Sequence, residues 1–234
     1  MSRAASKIPA SALLFDIDGT LFDSVDAFYF MIRDVFEGAG WTLPTRDEIV
    51  KLVGRTNEYI ANELVPLEER KPEFVKTWMS RVEKLWMERY LPTYVKLYPG
   101  AKQALITLRR RGFKLAVVTN GSSKEIPLYL RRGQVDHLVD LVVTADDVQN
   151  PKPSPEPIDC ACSHLGMTKS DCLYVGDTWM DAESASRAGV RCVLTTWGVG
   201  RIEELRDRPH VAIVESFKEL LDILEFRAVG ARQS

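Results

Sequence analysis

The sequence contains few cysteines, carries almost no net charge and has no long hydrophobic run. Its four cysteines, Cys160, Cys162, Cys172 and Cys192, all lie in the second half of the chain. Their spacings match neither a zinc ribbon nor a redox Cys-x-x-Cys motif. Reduced, partly buried thiols are therefore expected, as is usual for a cytoplasmic protein.

Charge and hydropathy argue against two classes of partner. With 31 Lys and Arg against 33 Asp and Glu, the formal net charge is -2, which offers no electrostatic case for nucleic acid or an anionic membrane. No apolar stretch approaches the roughly 18 residues of a membrane-spanning helix. The sequence also has no internal repeat or low-complexity segment. We therefore expect a soluble cytoplasmic protein without nucleic-acid or membrane partners, either a monomer or a homodimer.

The sequence does contain enough apolar residues for a substantial core. Its 234 residues are 45% hydrophobic and 27% charged, which is ordinary for a globular protein. A chain of this length can form one core, or one core and a smaller appended domain. Residues 1–10 are small and polar, and are predicted to be a disordered lead-in.

The most informative stretch is residues 13–24. The apolar run Ala12–Phe15 predicts a buried strand that delivers Asp16 and Asp18 to its carboxyl end. Ligands bind at that end of the strands in an open α/β sheet. Two neighbouring buried carboxylates repel each other, and Mg²⁺ is a usual remedy because it prefers oxygen ligands. The alternative is a polar turn in which Gly19 supplies unusual backbone angles.

The chain then stays helical as far as residue 94. Helices are predicted at residues 24–38, 45–53, 56–64 and 72–90. The last of these is amphipathic, and its Trp78 and Trp86 are expected to pack in the core rather than to contact substrate.

From residue 95 onwards, strands alternate with helices. Strands are predicted at 114–119, 141–143, 173–175, 191–195 and 211–214, and helices at 100–111, 124–132, 155–165, 180–188 and 216–226. Such alternation requires right-handed crossovers and a mainly parallel sheet. The predicted fold class is therefore α/β, with a Rossmann-like parallel sheet core and an inserted all-α cap domain. We expect the core to comprise residues 11–22 and 95–234, the cap residues 23–94, and the chain crossings near Phe22 and Tyr94–Pro99 to act as hinges.

Polar side chains also follow the later strands. Thr119, Asn120 and Gly121 offer a hydroxyl and backbone N–H groups at the start of a helix, which suits phosphate oxygens. Helix capping by Asn120 is the alternative. Asp177 and Asp181 lie four residues apart, so a helix that begins between them can turn both carboxylates toward one point, although capping would also place them there.

A lysine lies between these two strand ends. Lys152 is flanked by prolines in Asn150-Pro151-Lys152-Pro153-Ser154-Pro155, and the prolines make the backbone around it rigid. A loop lysine is ordinarily solvated, which is the alternative for Lys152.

In chain order, these stretches resemble the four motifs of the haloacid dehalogenase superfamily of phosphohydrolases. Asp16–Thr20 is similar to the first motif, Asp-x-Asp-Gly-Thr, and Thr119 to the second. Lys152 in Lys-Pro-x-Pro is similar to the third, and Gly176–Asp181 to the fourth, Gly-Asp-x-x-x-Asp. The similarity extends from about residue 11 to about residue 224, and a helical insert directly after the first motif is typical of members with an α-helical cap.

The resemblance implies a phosphoric monoester hydrolase that forms an aspartyl-phosphate. Asp16 is implied to be the nucleophile, Asp18 the general acid and base, and Lys152 the cation that offsets negative charge. In the family, dehalogenases lack the second Asp, which argues against that branch.

The resemblance also implies the binding residues. Thr119, Asn120 and Gly121 would bind the phosphoryl group, and Mg²⁺ is the implied cofactor. Its implied ligands are Asp16, the backbone carbonyl of Asp18, and Asp177, with Asp181 either a ligand or a residue that orients water bound to the metal.

Substrate choice is expected to lie in the cap. Arg55 follows Gly54 in a loop between two predicted helices, where it can bind a carboxylate, although an exposed turn arginine is the alternative. This loop, residues 196–198 and residues 203–205 resemble phosphoglycolate phosphatases and their close relatives. We therefore expect a small phosphorylated metabolite, similar to phosphoglycolate, as substrate.

Three alternatives remain open. A pyrophosphatase or a sugar-phosphate mutase of the same branch would share the core residues. A non-enzymatic binding protein that keeps the fold is the third, but a cluster of buried charge is costly and has no evident use in such a protein.

Overall fold

The computed structural model describes residues 7–228, which form an α/β core with a group of helices inserted near its start. Within these residues the strands are β1 (Ile8–Ala10), β2 (Ala12–Phe15), β3 (Phe22–Asp23), β4 (Lys96–Leu97), β5 (Lys114–Val118), β6 (Leu141–Val143), β7 (Cys172–Gly176), β8 (Arg191–Thr195), β9 (Ala212–Val214) and β10 (Leu224–Phe226). The helices are α1 (Val25–Ala39), α2 (Arg46–Val50), α3 (Asn57–Leu64), α4 (Pro72–Leu85), α5 (Leu91–Tyr94), α6 (Ala101–Arg110), α7 (Ile126–Gly133), α8 (Glu156–Leu165), α9 (Trp179–Ala188), α10 (Ile202–Arg206) and α11 (Phe217–Ile223).

A parallel sheet in the order β6-β5-β2-β7-β8-β9 forms the centre of the core. The register places Phe15 of β2 beside Val117 of β5 and Val175 of β7. Because these three strands run in the same direction and are level at their ends, the residues that follow them emerge at one edge. Asp16, Thr119 and Asp177 come from those three strand ends.

Helices cover both faces of the sheet, which explains why the middle of each strand is apolar rather than alternating. Leu13 and Phe15 pack on one face with residues of α6, α7 and α11. Ala12 and Leu14 pack on the opposite face with residues of α8 and α9. This arrangement confirms the predicted α/β class with a parallel sheet.

The insert between β3 and β4 is helical, as predicted. Thr45 caps α2 and forms a capping box with Glu48, and Thr56 caps α3. The single helix predicted at 72–90 is α4 followed by a wider turn at Trp86–Tyr90 that leads into α5. Trp78 and Trp86 are buried, with 8% and 7% of their surface exposed.

The two chain crossings between insert and core lie side by side. Phe22 pairs with Leu97 and Asp23 with Lys96, so that β3 and β4 form a short antiparallel ribbon. The residues expected to act as hinges are therefore joined to each other by backbone pairing.

Two predictions about the chain ends were wrong. Ile8–Ala10, expected to be part of a disordered lead-in, forms β1, which pairs in parallel with β10. The final helix, predicted to reach Phe226, ends at Ile223, because Leu224–Phe226 extend to pair with β1. Residues 1–6 of the predicted lead-in lie outside the described residues.

The four cysteines form no disulfide. All four cysteines are free, and Cys162, Cys172 and Cys192 are buried while Cys160 is half-buried. Among the helices described between residues 7 and 228, none has the length and apolar character needed to cross a membrane.

Candidate active site

Four of the predicted site residues meet at the carboxyl ends of β2 and β7. Carboxylate oxygens of Asp16, Asp177 and Asp181 lie within 4.8 Å of one another. The Nζ of Lys152 lies 2.8 Å from Oδ1 of Asp16 and 2.7 Å from Oδ1 of Asp181. All four side chains are buried. The structure thus brings Lys152, whose loop follows β6, into the same cluster as acids that follow two other strands.

Both carboxylate oxygens of Asp181 have hydrogen-bond partners. In addition to Lys152, the hydroxyl of Tyr174 lies 2.9 Å from Oδ1. The other oxygen, Oδ2, accepts hydrogen bonds from the backbone N–H of Thr178 at 2.9 Å and from its hydroxyl at 2.6 Å. Asp181 therefore completes the capping box of Thr178 at the start of α9 and pairs with Lys152 at the same time.

Asp177 is held from two sides. Its Oδ1 accepts a hydrogen bond from the hydroxyl of Thr20 at 2.7 Å, and its Oδ2 accepts one from the backbone N–H of Val199 at 2.8 Å. Gly19, with a φ of 82°, and Gly198 both lie against this carboxylate, and a Cβ at either position would overlap it. The two glycines let the backbone close around Asp177.

The cluster contains more negative than positive charge. Burial raises the pKa of Asp16, and the charges of Asp181 and Asp177 add to that effect while Lys152 opposes it. Burial, followed by the charge of Asp181, raises the pKa of Asp177 to about 7. Burial works to lower the pKa of Lys152, but the charges of Asp16 and Asp181 raise it above its ordinary value, so the lysine remains an ammonium.

One ammonium cannot neutralise three buried carboxylates. The donors in the cluster are carboxylate oxygens, which are the ligands that hard divalent cations such as Mg²⁺ select. The residues present therefore fit a divalent cation.

Asp18 lies apart from this cluster of acids. Its Oδ1 accepts a hydrogen bond from the hydroxyl of Tyr129, in the core helix α7, at 2.8 Å. Burial raises the pKa of Asp18, although the hydrogen bond from Tyr129 opposes the shift. A carboxyl with a raised pKa retains its proton more readily, as a general acid must.

The segment after β5 joins the core to the cap. The hydroxyl of Thr119 accepts a hydrogen bond from the N–H of Gly121 at 3.1 Å. The side chain of Asn120 donates to the carbonyl oxygens of Gly54 and Lys152, both at 3.1 Å, and accepts from the N–H of Lys152 at 2.8 Å. Asn120 therefore connects the cap loop to the loop that carries the catalytic candidate Lys152.

Arg55 lies where the cap meets the core. Its guanidinium carbon is 4.8 Å from the ring centroid of Tyr59 and 5.1 Å from that of Trp179. The side chain also lines a cavity next to Asp18. The guanidinium thus interacts with two aromatic rings, and the structure neither places it in the acid cluster nor leaves it in an exposed turn.

Several residues at the site were not predicted from the sequence. Thr20 lies within the first motif, so the motif could have pointed to it as a site residue. Tyr174 had none, because a tyrosine in an apolar strand usually belongs to the core. Glu125 is buried, accepts a hydrogen bond from the N–H of Ser122 at 2.7 Å, and has its pKa raised to about 7 by burial and by the charge of Asp18.

Comparison with known proteins agrees with this fold. Residues 13–195 match the family model of haloacid dehalogenase-like hydrolases. A phosphoglycolate phosphatase of Rhodobacter capsulatus is 31% identical over 219 residues, which cover 92% of this chain and 97% of the relative. The pyrophosphatase PpaX of Halalkalibacterium halodurans is 28% identical over 218 residues, covering 93% and 98% of the two chains. A solved haloacid dehalogenase-like hydrolase of Bacteroides fragilis matches the structure with a TM-score of 0.82 at 26% identity, over 90% of this chain and 99% of that chain.

The α/β core with its helical insert, together with the match to the family model, identifies a hydrolase. The chain belongs to the haloacid dehalogenase-like hydrolase family. Within that family it is a phosphatase, and it resembles the phosphoglycolate phosphatases. The resemblance and the enzyme class predicted from the four motifs are confirmed.

Proposed function

We propose that the protein hydrolyses small phosphomonoesters in a Mg²⁺-dependent reaction that passes through an aspartyl-phosphate on Asp16. The observation that carries this proposal is the contact between the buried Asp16 carboxylate and Lys152, within a cluster that contains Asp177 and Asp181. An acid that is poised beside a fixed ammonium can approach an anionic phosphate, which an isolated carboxylate would repel.

The proposed metal ligands are Asp16, Asp177 and the backbone carbonyl of Asp18. Asp181 is proposed to act indirectly, because each of its oxygens already accepts two hydrogen bonds, Oδ1 from Lys152 and Tyr174 and Oδ2 from Thr178. Each oxygen of Asp177 accepts only one. When bound, Mg²⁺ would neutralise phosphate charge and hold the phosphate near the nucleophile.

In the proposed reaction, two carboxyl side chains take part in the bonds that form and break. An oxygen of Asp16 attacks phosphorus as the bond from phosphorus to the substrate oxygen breaks, and Asp18 gives its proton to the departing alkoxide. Asp18 then takes a proton from water as the water oxygen attacks phosphorus and the bond to Asp16 breaks. The products are the alcohol and inorganic phosphate, and both carboxyl groups return to their starting states.

The phosphoryl group is proposed to be held by the hydroxyl of Thr119, the N–H of Gly121 and the ammonium of Lys152. Asn120, also predicted to bind phosphate, has its side-chain amide committed to Gly54 and Lys152. We propose that this side chain shapes the phosphate site by positioning Lys152.

The proposed substrate is a small phosphorylated metabolite. A relative named phosphoglycolate phosphatase supports a phosphomonoester, and one named pyrophosphatase supports pyrophosphate as the second candidate. We propose that residues 23–94 act as a cap, that residues 11–22 and 95–234 act as the core, and that Arg55 contributes to substrate choice. The proposal assumes no nucleic-acid or membrane partner, a cytoplasmic location, and a monomer or homodimer.

The test is phosphate release from 2-phosphoglycolate, pyrophosphate and a panel of phosphorylated metabolites, with Mg²⁺ or with EDTA. Asp16→Asn should lower kcat by about a thousandfold or more while the circular dichroism spectrum is unchanged, because the nucleophile is lost and the shape is kept. The exposed Asp207 provides the matched control, and Asp207→Asn should keep full activity. Undiminished turnover by Asp16→Asn would contradict the proposal, and isomerisation of a hexose phosphate in place of phosphate release would indicate a mutase.

A further inference from the structure

A cavity of about 70 Å³, here called the inner cavity, lies between the cap and the core next to Asp18. Asp18 is the residue proposed to protonate the leaving oxygen, so the alcohol part of a substrate would extend from this point into the inner cavity. A cavity of ~150 Å³ in a protein interior can hold a benzene ring. A space of about 70 Å³ therefore suits a leaving group of roughly three or four non-hydrogen atoms.

A larger cavity, here called the outer cavity, also lies between the cap and the core. It has a volume of about 780 Å³ and is lined by cap residues of and next to α3 and α4, and by the core loops that follow β5 and β6. Most of its lining residues are polar, and the charged ones include Arg70, Lys76 and Asp146. A longer leaving group would find room only if it could pass from the inner cavity into the outer one.

Cap side chains lie at the boundary between the two cavities. Among the residues described, Asn57, Met79 and Glu83 belong to the walls of both. Met79 and Glu83 are four residues apart in α4, so their side chains lie on the same face of that helix. Both are half-buried, whereas Asn57 at the start of α3 is exposed. Met79 and Glu83 are therefore the side chains that narrow the boundary.

An ion pair links this boundary to the core. The carboxylate of Glu83 lies 2.9 Å from the Nζ of Lys124, a core residue that precedes α7 and lines the outer cavity. The hydrogen bond to Glu83 and the charge of that carboxylate raise the pKa of Lys124, so the lysine remains an ammonium. The pair thus bridges the cap and the core at the point where the inner and outer cavities meet.

We propose that Met79 and the ion pair of Glu83 with Lys124 limit the length of the leaving group, so that the protein takes phosphomonoesters whose leaving group fits the inner cavity and disfavours longer ones. This inference rests on the proposed phosphatase function, because it names a size class of phosphomonoester and the residues that select it. These residues determine specificity by narrowing the passage, and they do not contact the reacting atoms. A glycolate leaving group falls within the limit.

Two phosphonates of different length test the proposal without turnover. 3-Hydroxypropylphosphonate fits the inner cavity, whereas 8-hydroxyoctylphosphonate has to reach the outer cavity. Binding to the Mg²⁺-loaded protein is measured by calorimetry. The short phosphonate should bind at least about tenfold more tightly, because the long one has to force the boundary side chains apart. If the passage were open, the additional CH₂ groups would instead favour the long phosphonate.

Variants assign the limit to particular residues. Met79→Ala removes the bulk of one boundary side chain, so the long phosphonate should bind about tenfold more tightly than it does to the natural protein. Lys124→Glu places a second negative charge opposite Glu83, which should push the cap and the core apart at the boundary and reduce the preference for the short phosphonate. The double variant Glu83→Lys with Lys124→Glu restores an ion pair in the opposite direction, and should restore the preference.

The matched control is Lys169→Glu. Lys169 forms an ion pair with Asp159 at 2.6 Å and lines neither the inner nor the outer cavity. The same change of charge at this position should leave both affinities unchanged. A substitution that only loosens the cap would weaken the binding of both phosphonates alike, so the ratio of the two affinities is the quantity compared.

The outcomes separate this inference from the proposed function. The inference would be overturned by equal or tighter binding of the long phosphonate to the natural protein, by no binding of either, or by a ratio that Met79→Ala and Lys124→Glu leave unchanged. Phosphate release from 3-hydroxypropyl phosphate and 8-hydroxyoctyl phosphate is measured in parallel. Absence of release from both esters, with the phosphonates ranked as predicted, would end the hydrolase proposal and leave the size limit standing.

Discussion

At the scale of single residues, the hydroxyl of Tyr174 helps to hold Lys152 in place. Its hydroxyl accepts a hydrogen bond from the Nζ of Lys152 at 3.0 Å, and lies 2.9 Å from Asp181 and 3.0 Å from the carbonyl oxygen of Val118. Tyr174→Phe keeps the ring and removes the hydroxyl. We expect the free energy of unfolding to fall by about 1–3 kcal/mol, because buried polar partners lose a hydrogen bond.

Urea denaturation measures the change in Tyr174→Phe. The control is Tyr94→Phe, since Tyr94 is 43% exposed, and its free energy of unfolding should change by less than about 0.5 kcal/mol. Equal stabilities of the two variants would show that the hydroxyl of Tyr174 is not needed to hold Lys152.

Glu125 makes stability depend on pH. Its pKa is raised from an ordinary 4.5 to about 7 by burial, with smaller contributions from Asp18 and Glu83. Between these two values the folded protein keeps a proton that the unfolded chain has released, so this carboxyl lowers stability as pH rises toward about 7, by about 1.4 kcal/mol for each pH unit. The glutamine in Glu125→Gln does not ionise, so the stability of this variant does not fall with pH for this reason.

The stability of Glu125→Gln relative to the natural protein should therefore increase with pH and become constant above about pH 7. Urea denaturation across this range measures it, and Glu63→Gln, at an exposed position of α3, should show no such trend. A difference that stays constant over the whole range would contradict the assignment to Glu125.

At the scale of elements, Asn120 ties a cap loop to a core loop. Its side chain bonds to Gly54 between α2 and α3, and to Lys152 before α8. Asn120→Ala removes both links. Hydrogen–deuterium exchange should become faster in residues 53–55 and 151–153, and kcat should fall because Lys152 is held less firmly.

The control for Asn120→Ala is Asn62→Ala, since Asn62 is exposed on α3. Faster exchange in the cap loop with unchanged exchange around Lys152 would show that Asn120 holds the cap without positioning the lysine.

At the scale of the whole molecule, the excess negative charge of the site should govern the response to Mg²⁺. A cation that binds the folded protein at a hundred times its Kd stabilises it by about 2.7 kcal/mol. Asp177→Asn removes one of the three clustered carboxylates. In EDTA, the unfolding temperature of Asp177→Asn should therefore be higher than that of the natural protein. The rise in unfolding temperature that Mg²⁺ causes in the natural protein should be absent from the variant.

Differential scanning fluorimetry with EDTA and with Mg²⁺ measures both effects of Asp177→Asn. The exposed Asp207 again supplies the matched variant, and Asp207→Asn should keep the full response. A response to Mg²⁺ that survives in Asp177→Asn would place the cation elsewhere.

Much of the molecule could be predicted because its signals are local. Apolar runs such as Ala12–Phe15 and helices such as Asn57–Leu64 are predicted from a few neighbouring residues, and the structure has them close to the predicted bounds. The end strands could not be predicted in this way. Leu224–Phe226 continue an apparently helical pattern, and they become a strand because Ile8–Ala10, from the other end of the chain, pairs with them.

The sequence by itself determined the parallel α/β class, the helical insert and the four motifs, because alternation, caps and motifs depend on nearby residues. Only the tertiary structure decided that Lys152 pairs with both Asp16 and Asp181, that Asn120 reaches Gly54, and that Trp78 and Trp86 line a cavity beside Asp18. Those contacts join residues far apart in the chain, and their geometry follows from the packing of whole strands and helices, which no local pattern encodes.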